Sequence, residues 1–230
     1  GTILYQDSAP YRHLFPVESI VRTQQADIVF PIAQSQNLDV AGGMQTKYVF
    51  SGLYIKNDFE NELEIYFRCL RENLEKFSSE ITHPIPLVLG NCNHAITVGY
   101  DIQRQKWLLC DVDDAFNREF TDDSAIATAI QSFAGSSFLT RIYASNNESE
   151  LYDRFLNALQ NDVNWKKLHR VTQEKAKDSH WLAIAASIGE LQKARELLHI
   201  GENLTKEQKN FALYFAALYG YHELVQELQM

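Results

Sequence analysis

His94 and Asp111 are the two residues of this sequence whose types and spacing could do chemistry together. Polar and apolar residues alternate from 94 to 100, a period of two that predicts a strand, and residues 107–111 read as a second, shorter strand. An imidazole held by a carboxylate is the base and its orienting partner in a nucleophilic triad. The sequence therefore predicts an acid–base pair; the structural alternative is a histidine at a strand end satisfied by any nearby polar group.

The polar run 101–106 predicts a hairpin turn that fixes how the two strands pair. A two-residue turn places His94 directly opposite Asp111, whereas a four-residue turn places it opposite Asp113 with Asp111 diagonal to it. Both registers put His94 and Asp111 on one face of the sheet, within about 4.5–8 Å at Cβ. A slip of one residue would separate them onto opposite faces.

Three chemistries remain open for these residues. Zinc is poorly supported, because Cys92, His94 and Cys110 have neither a C-x-x-C spacing nor a second histidine close by. An acid–base cluster of Asp111, Asp113 and Asp114 is the second, although acidic residues in loops are most often solvated. Cysteine chemistry is the third. No cofactor is expected.

Composition limits the partners. The net charge is −9 and no basic cluster occurs, so contact with nucleic acid or an anionic membrane is not expected. No apolar run approaches the roughly 18–20 residues of a membrane span. Three cysteines are an odd number and give no disulfide framework, which suits a reducing compartment.

The first part of the chain alternates short strands with one long helix. We expect this helix to begin at Asn57, with Glu60 completing a capping box, and to bury Cys69 as a small core residue. Its apolar stripe is Phe59, Leu63, Phe67, Leu70, Leu74 and Phe77. Further strands are expected at 27–32, 48–54, 87–89 and 138–144, with a turn at Gly42-Gly43, a helix at 124–133 and only helices from 148 onward.

The last fifty residues contain an internal repeat. Residues 180–198 align with 211–229, so that Ala185-Ala186 matches Ala216-Ala217 and Gly189 matches Gly220. The pattern resembles the ankyrin repeat, although neither copy has the T-P-L-H opening of that family. A duplicated helical hairpin is the alternative.

The stretch around the His–Asp pair resembles a known enzyme family. Residues 94–101 read H-A-I-x-V-x-Y-D and residues 107–111 read W-x-L-x-D, and both are similar to the His and Asp strands of papain-like cysteine proteases of the YopT and AvrPphB kind. Asp111 takes the position of the catalytic aspartate in this resemblance. The F-D-P-N of the family is replaced here by C-D-V-D. Residues 42–54 and 62–70 resemble the segment that precedes the histidine in cysteine-protease-like domains of Legionella secreted effectors. These segments and the repeat, taken together, resemble ankyrin effectors of the AnkH and AnkD type.

This resemblance implies a fold and a function. The expected fold class is α+β, a papain-like antiparallel sheet with packed helices followed by an all-α ankyrin-repeat segment. The expected domains are a protease-like domain at 1–147, a helical connector at 148–178 and repeats at 179–230. The implied protein is a bacterial effector secreted into a host cell, acting in its cytoplasm or nucleus, whose thiol protease or acyl-transfer domain uses His94 and Asp111 and whose repeats bind a host protein. The alternative is a non-catalytic scaffold that keeps the protease-like fold.

The nucleophile is the missing part of the pattern. Cys69 lies inside a helix, Cys110 should point away from the face of Asp111, and Cys92 is two residues from His94, roughly 6.5–7 Å along the strand. The chain opens abruptly and closes within a helix-like pattern, so we expect a fragment of a longer protein whose nucleophilic cysteine precedes Gly1. Loss of catalysis is the other explanation.

Overall fold

The computed structural model describes residues 44–81, 83–91, 94–111, 118–134, 136–145, 148–201 and 204–229. The expected strand at 27–32, the turn at Gly42-Gly43, Cys92 and Asp113 lie outside these ranges. The strands are β1 (Met44–Leu53), β2 (Leu87–Gly90), β3 (Ala95–Asp101), β4 (Lys106–Asp111), β5 (Arg118–Phe120) and β6 (Ser137–Ser145). The helices are α1 (Glu62–Glu75), α2 (Asp123–Ala134), α3 (Ser149–Asn161), α4 (Val163–Leu168), α5 (Ser179–Ser187), α6 (Leu191–Ile200), α7 (Lys206–Leu218) and α8 (His222–Gln229).

The six strands form one antiparallel sheet in the order β1–β6–β2–β3–β4–β5. Side chains alternate between its two faces, as the period of two in the sequence predicts. One face packs against α1: Phe67 meets Trp107 edge to face at 5.0 Å, and the Tyr66 hydroxyl lies 2.9 Å from the Thr140 hydroxyl. This buried layer fixes the face on which His94 and Asp111 lie.

The start of α1 differs from the expectation. The helix begins at Glu62, and Asn61 caps it by accepting from the Leu63 N–H. The Asn57 side chain instead closes a local turn by accepting from the N–H groups of Phe59 and Glu60, so the expected cap at Asn57 is wrong. Phe59 therefore lies outside the helix and is 99% exposed, not part of the buried stripe.

The buried positions within α1 follow the expected spacing, whereas Phe77 lies beyond the helix end at Glu75 and is only partly buried. Leu63, Phe67, Leu70 and Leu74 are all buried, each contributing about 1.5–3 kcal/mol relative to an exposed position. Cys69 is buried beside them, which confirms it as a core residue.

The expected fold class is wrong in its second half. The structure is α+β, with the six-stranded antiparallel sheet and eight α-helices in the described ranges, and these ranges show no ankyrin-repeat segment. Helix α5 packs directly on β1 and β6, and the Trp181 indole N–H donates to the Ser51 hydroxyl at 3.0 Å. Phe155 of α3 and Trp165 of α4 are buried in the same core as the sheet. The order of sheet and helices is thus only partly consistent with the expected layout.

The internal repeat corresponds to two helical hairpins, α5–α6 and α7–α8. Gly189 and Gly220 adopt φ of +72° and +75° at equivalent turns, a conformation that favours glycine. Ala185 and Ala216 are fully buried, and α5 packs closely on α7. The repeat in the sequence therefore corresponds to two equivalent hairpins, and α5 of the first hairpin packs on the sheet.

Candidate functional site

The β3–β4 hairpin determines where His94 and Asp111 lie. Ile96 pairs with Asp111 and Asp101 with Lys106, so the connecting turn has four residues. The Asp101 side chain accepts from the Arg104 N–H at 3.0 Å and closes that turn. Direct pairing of His94 with Asp111, one of the two registers considered, is therefore wrong, and Asp111 lies diagonal to His94 on the same face.

The two side chains are in contact. His94 Nε2 lies 3.0 Å from Asp111 Oδ2, with the histidine side chain 19% exposed and the aspartate 5% exposed. In the neutral imidazole, Nε2–H donates to the carboxylate and Nδ1 carries the lone pair. The carboxylate thus selects one tautomer and stabilises the imidazolium that forms when Nδ1 takes a proton.

Asn91 contributes to this site and was missed by the sequence analysis. Its N–H donates to the His94 carbonyl at 2.9 Å, and its side-chain Oδ1 accepts from the His94 N–H at 2.9 Å. The signal available in the sequence was an asparagine just after a strand, a residue type that closes turns through its side chain.

The two described cysteines are not placed to act with His94. Cys110 pairs with Thr97 on the opposite face of the sheet from Asp111, as the strand period requires. Cys69 is in the core, where its Sγ lies 3.9 Å from Asp162 Oδ1. Burial, together with the charge of Asp162, raises the pKa of the Cys69 thiol to about 12. A thiol with that pKa stays protonated near neutral pH and is a poor nucleophile.

Neither a metal-ion cluster nor a membrane-spanning helix occurs in the described ranges. No group of three or more His, Cys, Asp or Glu residues there is arranged to hold a metal ion. No helix in the same ranges is long and apolar enough to cross a membrane.

Comparison with protein-family models, with curated proteins and with solved structures found no match for this chain. The chemistry of the site is therefore argued from its geometry. That geometry is a partly exposed imidazole whose Nε2 is held by a buried carboxylate.

Proposed function

We propose that this protein performs thiol-dependent hydrolysis or acyl transfer on a protein substrate, with His94 as general base and Asp111 as its orienting partner. The observation that carries the proposal is the 3.0 Å contact between His94 Nε2 and Asp111 Oδ2. A histidine fixed by a buried carboxylate presents its other ring nitrogen in one defined position. The nucleophilic cysteine would come from outside the described residues.

The reaction would proceed in two halves. The thiol proton passes to His94 Nδ1, and the thiolate attacks the substrate carbonyl to give a tetrahedral intermediate. The imidazolium then donates its proton to the leaving amine, which departs and leaves a thioester. Water, deprotonated by the same nitrogen, hydrolyses the thioester; an amine in place of water gives acyl transfer.

The biological setting is proposed from resemblance. The likeness of residues 42–54 and 62–70 to segments of Legionella secreted effectors supports a bacterial effector that acts on a host-cell protein, in the host cytoplasm or nucleus. The corrected fold removes the ankyrin surface as a partner site, so the proposed contact with a host protein is the substrate contact at His94.

A second candidate belongs to a different class. A non-catalytic scaffold is favoured by one observation: neither Cys69 nor Cys110 shares the immediate surroundings of the His94 imidazole. In that case the His94–Asp111 pair would serve only to close the end of the hairpin.

Thiol labelling of the full-length protein separates the two candidates. An iodoacetamide or epoxide probe is applied near neutral pH, and the labelled cysteine is located by mass spectrometry. We expect one cysteine to react much faster than Cys110, and His94→Ala to slow it by about 10²–10⁴-fold, the usual contribution of a general base.

Asp111→Asn should slow the same cysteine, because the wrong tautomer is then favoured. The matched control is His83→Ala, which removes another histidine paired with a carboxylate, at 3.2 Å from Glu148 and more exposed to solvent. Slow labelling of every cysteine, unchanged by His94→Ala, would establish the scaffold instead.

A further inference from the structure

We propose that Asn91 is a positioning residue for His94, an inference that rests on the function proposed above. Strand β2 ends at Gly90 and β3 begins at Ala95, and these two residues form the last pair of the β2–β3 ladder. His94 lies just beyond that pair. Both of its backbone polar groups are bonded to Asn91, its carbonyl to the Asn91 N–H and its N–H to Asn91 Oδ1, each at 2.9 Å.

The side chain of Asn91 takes a place that a backbone group would ordinarily fill. In a two-residue hairpin loop, the residues before and after the loop exchange two N–H···O=C bonds. Here the acceptor for the His94 N–H is the amide oxygen of a side chain. The residue type at position 91 therefore affects the backbone of His94, which a purely backbone closure would not allow.

His94 and Asp111 are held in place by different contacts. Asp111 is held by its pairing with Ile96 in the sheet. The backbone of His94 is held by its two hydrogen bonds to Asn91. A change at position 91 therefore moves the imidazole relative to the carboxylate, and a misplacement of about 1 Å can cost roughly 10²-fold in rate.

The test uses two variants and a matched control in the full-length protein. Asn91→Ala removes the side-chain acceptor, and Asn91→Ser restores a short neutral acceptor that bonds more weakly. The control is Asn57→Ala, which removes the same kind of side-chain acceptor, for the N–H groups of Phe59 and Glu60, from a turn that takes no part in the β3–β4 hairpin.

Two readouts are measured on variants whose folding is verified by urea unfolding. Long-range proton–nitrogen NMR of the imidazole reports the fraction of His94 in the Nε2–H tautomer, and thiol labelling reports reactivity. We expect Asn91→Ala to lower the tautomer fraction and to slow labelling by at least about 10-fold, Asn91→Ser to recover part of both, and Asn57→Ala to leave both unchanged.

The outcomes that contradict the inference are distinct from those that contradict the function. A His94 spectrum unchanged in folded Asn91→Ala, or changed equally in Asn57→Ala, overturns the positioning role. A wild-type protein without His94-dependent labelling overturns the proposed function, and with it the catalytic consequence assigned to Asn91.

Discussion

The carboxylate of Glu190 accepts the backbone N–H of Ser51 at 3.0 Å, which joins the α5–α6 hairpin to the first strand of the sheet. The Ser51 hydroxyl donates to the same carboxylate and accepts from the Trp181 indole at 3.0 Å. Ser51 is fully buried, and the Lys193 ammonium donates to its carbonyl at 3.3 Å. The hairpin is therefore attached to the sheet through a buried polar cluster.

Glu190 should make stability depend on pH. Burial raises the pKa of its carboxyl above the ordinary 4.5, although Lys193 and Ser51 act in the opposite direction. A raised carboxyl pKa gives stability that is present below 4.5 and lost as pH rises through the folded value. Glu190→Gln removes this loss, so as pH rises above 4.5 the free energy of unfolding of the variant should increase relative to that of wild type, by at most about 1.4 kcal/mol per pH unit.

Urea unfolding at a series of pH values measures this difference. Glu150→Gln, at an exposed position of α3, is the control and should follow the wild-type curve. Parallel curves for Glu190→Gln and wild type would show that Glu190 is not the group responsible.

The ion pair between Lys175 and Glu62 predicts a large cost when one partner is removed. The two side chains are 3% and 18% exposed, with Nζ 2.7 Å from Glu62 Oε2. Nζ also donates to the Leu168 carbonyl at 2.7 Å. Glu62→Gln leaves a buried ammonium without its counter-charge and should lower the free energy of unfolding by about 3–5 kcal/mol.

The comparison variants identify the cause. Lys175→Met, which removes the charge and keeps an apolar stem, should cost less than Glu62→Gln. Glu119→Gln removes exposed ion pairs with Lys106, at 2.8 Å, and with Arg104, and should cost far less than Glu62→Gln because solvent screens them. Equal costs for Glu62→Gln and Glu119→Gln in urea unfolding would contradict the prediction.

What the sequence reveals about this fold depends on the range of the interaction. The contact of His94 with Asp111 follows from a hairpin, whose pairing is decided by a short local turn. The Glu190–Ser51 bond joins residues far apart in the chain, and no local period reports it. Lys175 is a charged residue whose burial depends on a partner and a carbonyl brought by other elements.

The repeat shows the same limit at a larger scale. The matched residues around Gly189 and Gly220 predict two equivalent hairpins, and the structure has them. The pattern does not say what the hairpins pack against. The packing of the first hairpin is determined by Trp181 and the polar cluster at Ser51, which place α5 on the sheet.

His169 should remain neutral well below the ordinary range. Its Nδ1–H donates to the Trp165 carbonyl at 2.8 Å, and the Tyr54 hydroxyl lies 3.0 Å from its Nε2. Burial lowers the pKa of the imidazole from 6.5 to about 3. The unfolded chain takes up a proton between these values and the folded chain does not, so stability should fall with decreasing pH across this window, by about 1.4 kcal/mol per pH unit.

NMR titration of the imidazole signals checks this directly. His169 should show no titration between pH 8 and 4. A midpoint for His169 near 6.5 would contradict a buried neutral ring.

The two hairpin glycines should differ in their tolerance of alanine. Both have positive φ, so either substitution costs about 1–2 kcal/mol of backbone strain. A Cβ at Gly220 meets nothing within 4 Å, whereas one at Gly189 would lie 2.5 Å from Tyr221 Cε1. Gly189→Ala should therefore cost a further 1–3 kcal/mol, about the penalty of overpacking. A double-mutant cycle with Tyr221→Ala in urea unfolding should recover that excess at Gly189 and nothing at Gly220, and equal costs for the two alanines would show that Tyr221 yields without resistance.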